Sequence, residues 1–435
     1  MEYLIDIQQN HTNPEGLEAL YQFSRKEQTD AAFKTALLTC YEETPDNLLY
    51  QAWYYRLTQP DAEPEKADRG ANWLIAIPLA LLTGLIFWLL SDDTYQIRRQ
   101  IPTLTIIGAP LAALAIIAYL VLSGKRAKLP SIWIGVALVA LPVYTILIYP
   151  QIESNLQETY LTMAIPHLAL LSWIGIGWSV LTRHKDEKSR LAFILKSFEV
   201  LVTAGLYAIA GGIFSGVTFG MFSALGVEIP EAIIRLIFAG GVGVISVIAV
   251  ASVYDPLRDP ADQTFGQGVS RLMPILVRLL LPATLLVLVI YVALIPFNFR
   301  APIENRDVLI INNAMLFAIM GLLLGASPLN ENDLPEKIRP WIQRGIIAVA
   351  VLAILVSLHA LTAIVFRTVT GSLTINRTIV IGWNLANLGI LISLLTNQLR
   401  HETSWVTSLQ KSFKLGTVVY LIWGLFVVLG IPLLY

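Results

Sequence analysis

Eleven separate stretches of this chain are each apolar over about 20 residues, the length a helix needs to cross a hydrocarbon core of roughly 30 Å. They fall near 72–91, 103–122, 131–149, 160–181, 200–226, 232–253, 272–296, 308–326, 345–366, 378–396 and 415–435. Backbone amides in lipid have no water to bond, so stretches of this kind must be helices. Composition agrees: 55% of the 435 residues are hydrophobic and only 14% charged, with a mean hydropathy of +0.64. A soluble domain carries about 25% charge. The fold class expected is all-α, a polytopic membrane bundle of about 11 spans solvated by the lipid bilayer.

The net charge of −1 supplies no basic field for nucleic acid. It hides an asymmetry: residues 1–70 hold 13 Asp and Glu against 6 Lys and Arg, and the rest holds 18 against 24. The expected organisation is an acidic helical head over 1–58, a Pro-bearing polar linker over 59–71 and a membrane domain over 72–435. In the head, Leu17, Leu20 and Tyr21 share one face, and Phe33, Ala36, Leu37 and Cys40 another. After the turn TPDN, Leu48, Ala52, Tyr55 and Leu57 are expected to face inward. The stretch ALLTCYEETPDNLLYQAWYYRL resembles the helix–turn–helix junction of tetratricopeptide-type repeats, over one junction only. Such arrays need about three repeats to stand alone, so a small helical head is expected. Cys40 is the single cysteine, too few for a disulfide or a thiolate metal cluster. The start, MEYLIDIQQNHTNPEG, lacks the basic-then-apolar pattern of a signal peptide, which leaves the head in the cytoplasm.

Loop charge orients the spans. With the head inside, the loops on its side carry 15 Lys and Arg, among them Lys125, Arg183, Arg258, Lys337 and Lys411, and those opposite carry 6. The chain is therefore expected in a bacterial inner membrane, N-terminus cytoplasmic and C-terminus extracytoplasmic. Two segments read as interfacial: SRLAFILKSFEV (189–200), with Lys196 and Glu199 three apart, and LRHETSWVTSLQKSFKL, where Trp405, Leu409 and Phe413 recur every fourth residue.

Several residues are candidates for function. Ala204, Ala208, Gly212, Gly216, Gly220 and Ala224 form a ridge of small residues along the fifth span. It is expected to pack on Ala239 and Gly243 of the sixth span or to support a homo-oligomer. Charges inside spans are costly and often functional. Arg235 lies four residues after Glu231 near a helix end, and Arg278 can snorkel along lipid past Pro274 and Pro282. His167 and His359 are mid-span histidines, the residue type that titrates near neutrality. Asn384 and Asn387 share a face of the tenth span, and Asn312 and Asn313 open the eighth. Amides there glue helices together or line a polar path. In GSLTINRTIVIGWN, Asn376 is expected to cap the tenth span and Arg377 to anchor its start at the interface. Asp255, Asp259 and Asp262 sit in a loop interrupted by Pro256 and Pro260, ordinary turn chemistry for which no metal or other cofactor is expected.

From about 190 to 400 the chain resembles a family of bacterial polytopic membrane proteins, the 4153-type domain of unknown function. The resemblance rests on AGLYAIAGGIFSGVTFGMFSALGVEIPE, on RLMPILVRLLLPATLLVLVIYVALI and on GSLTINRTIVIGWN. It implies a fold neighbourhood and no reaction. The sequence points to a non-catalytic membrane partner or sensor that engages a cytoplasmic protein through residues 1–58. The alternatives are a secondary transporter or channel with a polar path near the ninth and tenth spans, and a lipid-modifying enzyme using the Asp255 loop.

Overall fold

The computed structural model describes all residues except 1–2, 27–28, 59–70, 98–100, 125–127, 183–185, 225–227, 266–271, 331–332, 335 and 401–403. The expected linker thus lies almost wholly outside the described residues. The chain forms two compact units, Met1–Arg69 and Gly70–Tyr435.

The head is four helices: α1 (Leu4–Gln9), α2 (Pro14–Lys26), α3 (Asp30–Glu43) and α4 (Leu48–Thr58). Phe33, Ala36, Leu37 and Cys40 are buried on α3 as their spacing predicts. Asn47 caps α4, its Oδ1 accepting the Leu49 and Tyr50 amides at 2.9 and 3.3 Å. The inward face of α4 differs from expectation. Leu48 and Tyr55 are exposed, and Tyr50 and Trp53 are buried. Aromatic packing decides this: Trp53 lies 5.3 Å from the Tyr21 ring and 5.8 Å from Phe33, and Tyr50 donates to the Ile7 carbonyl at 3.1 Å.

Among the described residues, the second unit carries 11 helices long and apolar enough to cross a membrane. A minimal antiparallel ladder, Gln96–Ile97 against Ile101–Pro102, joins the first two. The closest crossing of small residues lies between the first span (Trp73–Leu90) and the sixth (Glu231–Val253). Ala76, Ala80 and Gly84, four apart, are buried there. A Cβ on Gly243 would sit 2.9 Å from both the Gly84 Cα and the Thr83 carbonyl oxygen. Beyond this crossing the Trp88 indole donates to the Ala232 carbonyl at 2.9 Å.

This overturns the packing expected for the fifth-span ridge. A Cβ on Gly212 or Gly216 would meet nothing within 4 Å. Ala208 and Gly212 instead border a cavity of 520 Å³ facing Gly240 and Gly241. The sixth span has already committed its small face to the first span. It meets the fifth elsewhere, through the Tyr207 hydroxyl donating to Ser252 Oγ at 2.9 Å. Gly220 and Ala224, as side-chain positions, lie outside the described residues.

Neither interfacial helix exists as such. Residues 189–200 belong to one helix, Glu187–Ala224, with Leu191, Ala192, Lys196 and Glu199 buried in the bundle. Trp405 opens the eleventh span, Trp405–Leu434. Its stripe of Leu409 and Phe413 was read correctly as apolar, but it packs on protein, in a cluster with Leu391, Leu394 and Leu329. The polar residues beside it have partners: Gln410 donates to the Leu329 carbonyl at 3.1 Å and Asn397 to Ser412 Oγ at 3.0 Å.

The breaks in the spans are mild. The sixth and eleventh spans each widen through one π-helical turn, Leu236–Gly240 and Phe426–Gly430. In the second, the Val428 and Leu429 carbonyls accept from the Tyr160 and Tyr144 hydroxyls at 2.9 and 3.1 Å. Such turns occur often at functional sites. Pro274 and Pro282 fall within one helix, Leu272–Leu294.

Candidate functional site

The eighth span (Arg306–Ala326), the ninth (Arg339–Thr370) and the tenth (Ile375–Leu399) pack side by side. Two apolar clusters hold them. One contains Leu309, Ala360, Ala363 and Ile364, with Val380 and Ile381 against it. The other contains Leu316, Ala353, Val356, Ile390 and Leu391. Between the clusters, every one of the three helices turns polar. Asn312 and Asn313 fall between Leu309 and Leu316, Ser357 between Val356 and Ala360, and Asn384 and Asn387 between Val380 and Ile390.

Asn384 is fully buried, and its Nδ2 donates to Asn313 Oδ1 at 2.7 Å and to the Val380 carbonyl at 2.9 Å. Asn313 in turn donates to the Leu309 carbonyl at 2.8 Å. The neighbouring spans extend the layer. The Tyr291 hydroxyl of the seventh donates to Asn312 Oδ1 at 2.6 Å, and that of Tyr420 in the eleventh to Asn387 Oδ1 at 2.5 Å. Three buried atoms remain without a hydrogen-bond partner: Asn312 Nδ2, Ser357 Oγ and Asn384 Oδ1. An unmet buried polar group costs about 1–3 kcal/mol. Both candidate asparagines thus lie between the two apolar clusters with Asn312, Asn313 and Ser357, and separate hydrogen bonds tie Asn384 to Asn313, Asn312 to Tyr291 and Asn387 to Tyr420.

His167 adjoins it. Its Nδ1 donates to the Met163 carbonyl at 2.6 Å, and its Nε2 accepts from the Trp383 indole at 3.0 Å. A nitrogen that accepts an N–H carries no proton, so this network holds the imidazole neutral. Trp383 packs against Phe317 at 4.9 Å and Tyr420 at 5.1 Å. His167, Asn313, Phe317 and Trp383 help to wall a cavity of 390 Å³.

The other candidates lie elsewhere. His359 bonds through Nε2 to the Phe299 carbonyl at 3.1 Å, pinning the segment between the seventh and eighth spans, and its Nδ1 is unpaired. Arg235 pairs with Asp92 at 2.5 Å, and its Nε lies 3.7 Å from Glu231. The Thr94 hydroxyl and amide, then the Arg235 guanidinium, hold the Asp92 carboxyl down at about 2. The Arg278 side chain lies outside the described residues.

At the start of the tenth span the cap is Thr374, whose hydroxyl accepts the Arg377 amide at 3.4 Å; the expected cap, Asn376, has an unpaired buried Oδ1. The helix begins at Ile375, which places Asn376 inside the first turn. Arg377 bends back to donate to the Ser372 carbonyl at 2.5 Å, closing its own turn over Gly371.

The Lys196–Glu199 pair, expected at the membrane surface, is a buried ion pair. Lys196 Nζ lies 2.7 Å from Glu199 Oε2, with both side chains 5% exposed, and also donates to the Thr264 carbonyl at 2.6 Å. Lys196 borders a mostly apolar cavity of 410 Å³, and Glu199 a separate one of 430 Å³ with Gln263, Ser327 and Asp333. The signal was the i,i+3 pair itself, in a stretch too apolar for a water-facing helix. The Asp255 loop is held by local bonds: Asp255 pairs with Arg258 at 3.3 Å and accepts the Leu257 amide at 2.9 Å, and Gln263 clips the loop closed. Among the described residues no group of three or more His, Cys, Asp or Glu side chains is placed to hold a metal ion.

The fold defines the class, an all-α polytopic bundle with 11 membrane-length helices. No match is found among protein families, curated proteins or solved structures.

Proposed function

We propose that the membrane unit is a secondary transporter or channel that passes a small solute through the polar layer of the eighth, ninth and tenth spans. The observation that carries this reading is the layer itself. Bonds between spans account for part of the layer, but Asn312, Ser357 and Asn384 also hold unpaired buried atoms, which packing of the two apolar clusters does not call for. Polar groups gathered within membrane spans commonly mark a transport path. In this reading the chain sits in a bacterial inner membrane with its N-terminus in the cytoplasm, as the loop charges suggest.

The test is chemical access. In a Cys40→Ala background, Ser357→Cys should react with a small hydrophilic methanethiosulfonate reagent in proteoliposomes, more slowly than Ser372→Cys at the exposed turn. A thiol at 357 that stays unmodified while the one at 372 reacts would refute a path through the layer.

A second reading rests on the head. It is a separate unit with its own aromatic core, and it exposes Ile5, Phe23, Leu48 and Tyr55 on an acidic surface. These features suit a sensor or adaptor that binds a cytoplasmic protein. Deleting residues 1–69 should abolish that partner's recruitment while leaving the membrane unit folded; recruitment that survives the deletion would rule the adaptor role out.

A further inference from the structure

The three unpaired atoms in the polar layer differ in what they can bond. Asn384 Oδ1 only accepts, Asn312 Nδ2 only donates, and Ser357 Oγ does either. The Asn384 amide is fixed by its other bonds, whereas the Asn312 amide can turn over, because the Tyr291 hydroxyl both donates and accepts. Asn384 Nδ2 donates to two oxygens, Asn313 Oδ1 and the Val380 carbonyl, and Asn312 Oδ1 receives the Tyr291 hydroxyl. Asn384 and Ser357 are 0% exposed and Asn312 is 1% exposed, so bulk water does not satisfy them. All three lie in the layer between the same two apolar clusters.

We propose that this layer binds a small uncharged molecule that both donates and accepts hydrogen bonds, of the hydroxyl or amide class. The inference rests on the permeation reading and names the chemistry of its ligand. A bare cation would find only neutral oxygens there and no counter-charge. An anion would suit Asn312 Nδ2 but would face the lone pairs of Asn384. Either ion would also have to shed water in a layer whose groups are all neutral, and an unpaired buried charge is far more costly than a neutral dipole. A neutral molecule with both functions answers such atoms without that cost. Asn313 connects the layer to the neighbouring 390 Å³ cavity, because it lines that cavity and accepts the Asn384 amide.

Water and small organic solutes share this chemistry, and a flux experiment separates them. The full chain is reconstituted in phosphatidylethanolamine–phosphatidylglycerol vesicles. Stopped-flow light scattering reads water, urea and glycerol, and tracers read Na⁺ and Cl⁻. The expected result is urea or glycerol flux above that of protein-free vesicles, with no ion flux. Ser357→Ala and Asn384→Leu should each lower it about tenfold, as expected for one lost buried hydrogen bond. Enhanced water flux alone would keep the ligand class, restrict the occupant to water and remove the solute-transport reading. Ion flux without neutral flux would overturn the inference and leave permeation standing. Neutral flux unchanged in Ser357→Ala, whose small substitution spares the fold, would do the same. No flux of any of the five would overturn both.

Discussion

Replacing Lys196 with methionine removes the counter-charge of a carboxylate that the fold keeps almost wholly from solvent. Lys196 and Glu199 are each 4% exposed, their charged atoms are 2.7 Å apart, and the ammonium also holds the Thr264 carbonyl. An exposed pair at that distance contributes about 0–1 kcal/mol. Breaking a buried one costs about 3–5 kcal/mol, because the remaining charge is stranded. Lys196→Met and Glu199→Leu should therefore each destabilise the membrane unit by about 3–5 kcal/mol. The double variant replaces both charges with apolar groups, and the Thr264 carbonyl that loses the ammonium adds a penalty of about 1–3 kcal/mol. The double variant should thus be more stable than either single one, with a coupling energy of at least about 3 kcal/mol. Reversible denaturant unfolding in mixed micelles, followed by far-ultraviolet circular dichroism, measures all four corners of the cycle. Single losses below about 1 kcal/mol, adding without coupling, would show that water reaches the pair and that the fifth span is not seated as described.

Gly243→Leu should disrupt the crossing of the first and sixth spans, where even a Cβ would stand 2.9 Å from the Gly84 Cα, while Gly212→Leu should be tolerated; thermal melts of the two variants in detergent check the contrast. The Asp92 carboxyl is held near 2, below its ordinary 3.8, so its contribution is fully present above about pH 4 and is lost as pH falls through about 2; unfolding midpoints of the parent chain should drop over that window more than those of Asp92→Asn. Burial, then the nearby Glu43 charge, pushes the Cys40 thiol up, so iodoacetamide should modify it slowly in the native head and rapidly after denaturation, as mass spectrometry would record.

The bundle was legible in the sequence because lipid leaves a chain so few choices. All eleven apolar stretches became helices, with bounds that grew mainly where polar or charged residues continued a span, as at Glu187 and Trp405. Contacts between spans were much less legible. The fifth-span glycines are the more conspicuous ridge, yet Ala76, Ala80 and Gly84 make the close crossing. Spacing alone shows that a face is small, not which neighbour reaches it. Lys196 and Glu199 were misplaced for a related reason, since charge near a span end looks the same whether it meets water or a partner in the fold. Asn384 and Asn387 were visible as polar residues in a span. Their layer was not, because Ser357 is an unremarkable residue until Val356 and Ala360 on either side fall into different clusters.

Asn312, Ser357 and Asn384 are proposed to share a guest. A map of the protein in a lipid nanodisc, at a resolution that shows ordered water, tests it directly. The account predicts non-protein density within about 3 Å of Asn384 Oδ1 and of at least one of Ser357 Oγ and Asn312 Nδ2. A layer with no such density, in which the three atoms have turned to bond one another or the backbone, would contradict it.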